Sequence, residues 1–148
     1  MLLPRDVWLI AAGTLSSIAA LLHLGVIAGG PAWYRFFGAG ERMARLAEQG
    51  SLEPTLITLG IALVLGIWAA YAFAAAGLLP RLPLMRTALV VISAVYLLRG
   101  LALVPLLVLK PEAATTFAWW SSLIVLGYGV AYAVGTWLAW PRLSVVAA

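Results

Sequence analysis

The chain has no cysteine, a single histidine and very little charge: Asp, Glu, Lys and Arg together make up 9% of its 148 residues. Without cysteine there are no structural disulfides, thiolate metal sites or thiol redox chemistry. With His23 as the only imidazole, no multi-histidine metal site or bis-histidine haem forms within one chain, so neither a metal nor a covalently attached cofactor is expected. The nine basic residues are scattered among short connections rather than gathered into a stripe on a soluble face, which argues against nucleic acid as a partner. The sequence also lacks a nucleophile elbow, a P-loop, a dinucleotide fingerprint and a His-Glu-x-x-His pair. It shows no internal repeat or pair of broken helices of the transporter kind, and no ring of carboxylates suited to a cation channel.

Apolar residues fill the space that charge vacates. They make up 65% of the sequence, against about 45–50% in an ordinary soluble domain, and the mean hydropathy is +1.08. A fold of this size buries only about two-thirds of the surface its unfolded chain exposes, so the excess must face lipid. Spanning a hydrocarbon core takes roughly 20 apolar helical residues, and four stretches qualify: about 7–29, 55–79, 84–109 and 116–140. In lipid the backbone must satisfy itself within each segment. Uninterrupted runs such as Ile61 to Leu65 do not alternate as barrel strands do. The expected fold is all-α: one transmembrane domain over 1–148, a four-helix bundle with a long amphipathic loop between the first and second spans.

Glycine and proline mark the same boundaries. Gly29-Gly30-Pro31 is predicted to end the first helix, Pro54 to start the second, Pro80 and Pro83 to bracket a tight turn, and Pro141 to close the fourth. Trp8, Trp33, Trp119, Trp120, Trp137 and Trp140 fall near predicted ends, as an interfacial aromatic belt requires. The first apolar run is too long for the core of a signal peptide and has no Ala-x-Ala cleavage site before Pro31, so it reads as a retained span. Arg5, Arg81, Arg86 and Arg142 belong to one side; Arg35, Arg42, Arg45 and Lys110 belong to the other. The shortness of the 81–86 turn and the free amino terminus tip this balance towards both termini lying in the cytoplasm. Arg outnumbers Lys eight to one in an Ala- and Leu-rich chain, a bias that suggests a bacterium with a GC-rich genome, and the expected location is its inner membrane. Small residues recur every four positions at Ala12, Ser16 and Ala20, at Ala62, Gly66, Ala70 and Ala74, and at Gly127, Ala131 and Gly135. That spacing suits close helix packing.

The loop from Gly30 to Pro54 has two parts. Trp33, Tyr34, Phe36 and Phe37 are expected at headgroup depth, and 41–48 reads as a short amphipathic helix, together forming a lid. Beneath it, one residue has a clear energetic cost. Arg99 lies ten positions before the predicted end of its span, roughly 15 Å at 1.5 Å per residue. A mid-membrane arginine costs at least about 2.5–3.5 kcal/mol and keeps its proton. No acid occurs inside the four predicted spans. The candidate binding set is therefore Arg99 with His23, Tyr96, Tyr128 and Trp68 at comparable depth, and Glu41, Glu53 and Tyr34 from the loop, lining a polar, aromatic cavity. Pro105 is expected to kink the same helix.

The four-span layout, the long first loop and Tyr96-Leu-Leu-Arg99-Gly100 together resemble the broad DoxX-like group of bacterial inner-membrane proteins. Some members of that group are subunits of quinone-linked oxidoreductases, so the resemblance implies a quinone- or lipid-like ligand. Three functions fit the residues: binding of an anionic or amphipathic small molecule at Arg99; an accessory subunit of a larger membrane complex or a homo-oligomer; or a membrane enzyme with His23 as general base beside Glu41 or Glu53.

Overall fold

A computed structural model describes residues 4–113 and 115–143; the side chains of Pro4, Arg5 and Ala113 are excepted, so the side chain of Arg5 in the charge tally lies outside the described residues. Every regular element among them is helical: α1 (Pro4–Phe36), α2 (Glu41–Glu48), α3 (Glu53–Ala75), α4 (Met85–Leu101), α5 (Leu103–Leu109), a 3-10 turn (Pro111–Ala113) and α6 (Thr116–Leu143). Four stretches are long and apolar enough to cross a membrane: α1, α3, α4 with α5, and α6. This is the all-α, four-span class that composition demands. The six tryptophans near helix ends are exposed, whereas Trp68, in mid-span, is half-buried.

The glycine and proline signals fall where helices break, with one exception. The first apolar helix ends at Gly29-Gly30-Pro31 as expected: Gly30 (φ 65°, ψ −151°) is non-helical, and a second helical stretch runs on to Phe36 within α1. Glycine accepts the positive φ, and Pro31 sits in the first turn of the resumed helix, where its missing N–H is no loss. The third span is divided at Ala102 between α4 and α5. Pro105 can neither donate to the Leu101 carbonyl nor pass it without a clash, so the helical bonding lapses there. α6 runs through Pro141 to Leu143 instead of ending before it.

The chain divides into two compact units. Residues up to Leu15 together with those from Trp68 onward form one, and Ser16–Ile67 the other. In the first, α4 and α6 approach at two glycines. A Cβ on Gly100 would lie 2.8 Å from Leu126 Cα, and one on Gly129 would lie 2.8 Å from the Leu97 backbone nitrogen. Gly135 meets Leu9 in the same manner, and Gly13 meets the Phe73 ring. Gly127, which was placed in a packing stripe, is exposed and has nothing within 4 Å of its Cβ position. The contact row lies two residues along at Gly129, because three to four residues separate positions on one helical face.

At one end of this unit Asp6 is buried and ion-paired with Arg142. The Arg81 guanidinium donates to the Arg142 carbonyl at 2.7 Å, and that of Arg86 donates to the Trp140 carbonyl at 3.3 Å. The 80–84 turn thus delivers two arginines to the last carbonyls of α6, which have no helical donors of their own and carry the negative end of the helix dipole.

In the second unit Tyr34 is buried with Val26 and Ala44, and Phe37, Met43 and Ala47 pack against them. α2 buries that apolar side and exposes Glu41, Arg42, Arg45 and Glu48. Tyr34 is therefore a core residue of this unit, while Trp33 and Phe36 remain exposed.

The two glycines of α6 provide a direct test. Gly129→Ala places a methyl against backbone that cannot rotate away, and is expected to destabilise by about 1–3 kcal/mol, as overpacking does. Gly127→Ala is expected to be neutral or slightly stabilising, since alanine is the better helix former. Thermal unfolding of the two variants in mild detergent checks the contrast, and equal melting points would contradict it.

Candidate functional site

Tyr96 of α4 faces α6, and three rings meet it. Trp68 lies 4.9 Å away edge-on, Tyr128 lies 5.5 Å away edge-on, and Tyr132 lies tilted at 5.4 Å. The Tyr132 hydroxyl donates to the Trp68 carbonyl at 3.0 Å. Tyr96, Tyr128 and Tyr132 are all buried. Edge-to-face geometry at these distances adds to the stabilisation from burial, so the rings form a rigid wall in which each fills its neighbour's space. Trp68, Tyr96 and Tyr128, grouped by depth in the sequence reading, do meet. Tyr132 completes the group and is the most buried of the four.

Arg99 follows one turn after Tyr96, next to the close crossing at Gly100. Its guanidinium donates from Nη1 to Ser122 Oγ at 3.4 Å. Ser122 is buried in α6, whereas Arg99 is exposed. Within its own unit, and among the described residues, Arg99 makes no ion pair. Ser122 was not foreseen, although a serine pair directly after Trp119-Trp120 is an unusual polar interruption in an apolar span.

The remaining candidates belong to the other unit, and local partners occupy most of them. Glu41 receives a two-pronged bond from Arg35, at 2.9 Å from both Nε and Nη2, and a third from Arg45 at 3.2 Å. Glu48 pairs with Arg35 at 2.7 Å and Glu53 with Arg42 at 2.9 Å. The Tyr34 hydroxyl accepts from Thr58 at 3.4 Å. His23 Nδ1 lies 2.7 Å from the Ala19 carbonyl of its own helix. A carbonyl only accepts, so Nδ1–H is the donor in this contact. Among the described residues no three His, Cys, Asp or Glu side chains gather as metal ligands.

The polar groups outside the sequence-derived set are Asp6, Arg142, Arg81 and Arg86, which cluster around the C-terminal end of α6. Their sequence signal was an acid in the first turn of a span, facing a two-arginine turn. No protein-family model matches the chain, and neither does any curated protein or solved structure.

The loop network has a pH signature. Hydrogen bonds from Arg35 and then Arg45 hold the Glu41 carboxyl down at about 2, against an ordinary 4.5, and Arg35 lowers Glu48 as well. A depressed carboxylate contributes stability that is fully present above the unfolded value and is lost as pH falls through the folded one. Amide protection of α2 should therefore persist below pH 4 and decline towards pH 2, earlier in high salt because these pairs are exposed. Hydrogen exchange across that range is the check. A midpoint near 4.5 at low salt would contradict the pairing.

Proposed function

We propose that this multi-pass protein binds an anionic or amphipathic small molecule, quinone- or lipid-like, from within a bacterial inner membrane, with both termini on the cytoplasmic side. Arg99 is the group that holds the ligand's charge or polar head. The observation carrying this reading is an exposed, permanently protonated guanidinium in an apolar span, whose hydrogen-bond partner is a neutral serine. Such a group requires a counter-charge. Four of the five acids in the chain are engaged with other arginines: Asp6 with Arg142, Glu41 and Glu48 with Arg35, and Glu53 with Arg42. The fifth, Glu112, lies on the exposed 3-10 turn beyond α5. An anion from outside the chain is the natural complement. In this reading the Trp68, Tyr96 and Tyr128 rings back the site, and the resemblance to the DoxX-like group points to a quinone among amphipathic ligands.

The exposure of Arg99 beside exposed Leu98 and Leu101 also favours a second reading, in which the protein is an accessory subunit and a carboxylate on a partner's helix supplies the counter-charge. Native mass spectrometry of the protein gently extracted from its own membrane separates the two. Wild type should retain a small-molecule adduct that Arg99→Leu loses, with the melting temperature little changed. Retention by Arg99→Leu of every adduct that wild type carries would overturn the ligand reading. Loss of a protein partner, with the same adducts in both forms, would establish the second.

A further inference from the structure

On the Arg86 side of the contact at Gly129, a cavity of about 560 Å³ lies between α4 and α6. Its walls are Val90, Ala94 and Leu97 from α4 and Ala133, Trp137 and Trp140 from α6. This volume is in the range of ligand sites. The lining is almost wholly apolar, and exposed Val90 and Trp137 flank the cavity. None of the residues grouped around Arg99 contributes to it.

Two observations indicate what occupies the cavity. First, the Arg86 guanidinium lies 4.4 Å over the Trp140 ring, at the cavity's end, while donating to the Trp140 carbonyl. Second, Arg81, Arg86 and Arg142 cluster there with Asp6, so that among the described side chains at that end three guanidiniums stand against one carboxylate.

A phospholipid presents the same order along its length: an anionic phosphate, then an acyl chain. We infer that the α4–α6 groove is a binding site for an anionic phospholipid. Its phosphate sits against Arg86, and one acyl chain fills the channel down to Leu97. The site is separate from Arg99 and does not depend on the ligand proposed there.

The test uses delipidated protein in detergent, with phosphatidylglycerol or phosphatidylcholine of identical acyl chains added, and native mass spectrometry as the readout. Wild type should retain phosphatidylglycerol in preference to phosphatidylcholine. Arg86→Gln should lower that preference about fivefold, which corresponds to the ~1 kcal/mol that one arginine contributes towards an anionic headgroup. Ala94→Phe, which fills the groove and leaves the arginines intact, should reduce retention of both lipids; Arg99→Leu should change neither. If the preference survives in both Arg86→Gln and Ala94→Phe, the inference is overturned. If it disappears in Arg99→Leu, the bound lipid belongs to the Arg99 site and the groove assignment fails. Because Arg86 also holds the end of α6, melting curves accompany each variant.

Discussion

α4 and α6 can touch backbone to backbone only because residues 100 and 129 have no side chain. Helices in lipid gain nothing from excluding water between them, so association depends on close van der Waals fit and on polar groups that find partners. Everything distinctive in the first unit follows from that contact. It holds Arg99 within reach of Ser122, sets Tyr96 against Tyr128 and Tyr132, and leaves the groove on its Arg86 side. A methyl at either glycine would separate the helices and loosen all three.

The chain places its charges under the same constraint. Arg81 and Arg86 satisfy carbonyls at the end of α6, where helical donors run out, and Arg142 neutralises a buried Asp6. Around α2, three arginines and three glutamates pair across an exposed surface. Arg99 stands out because its partner is a hydroxyl. Intramembrane charge is costly enough to be functional by default, and the contrast with the eight basic or acidic side chains held in ion pairs among the described residues makes this residue the focus of the proposed function.

Much of the class was legible in the residues. Composition required lipid, span length gave four crossings, and the tryptophans at helix ends proved exposed. The α2 helix was also readable, since Met43, Leu46 and Ala47 recur at helical spacing among charges, although Ala44 is the residue buried outright. Of the candidate site, Trp68, Tyr96 and Tyr128 converge as their depth suggested. The loop acids Glu41 and Glu53 were legible as charges but not as the partners of Arg35, Arg45 and Arg42. Depth along a helix can be counted in sequence, whereas rotation about its axis relative to neighbours cannot. For the same reason Gly127 and Gly129 look equivalent in sequence, yet only one of them meets another helix.

The sequence by itself determined the solvent and the secondary structure: an apolar excess that no small fold can bury, in segments long enough to span, must become lipid-facing helix. It also determined that Arg99 has no acid within its own span or the other three, so that its partner must be a loop, backbone or hydroxyl group or a bound anion. Only the tertiary structure decided which small residues form contacts, that Ser122 meets Arg99 within its unit, and that a groove opens between α4 and α6. Those outcomes depend on the rotational phase and crossing point of packed helices, which are set by the steric fit of side chains far apart in sequence and are written in no local pattern.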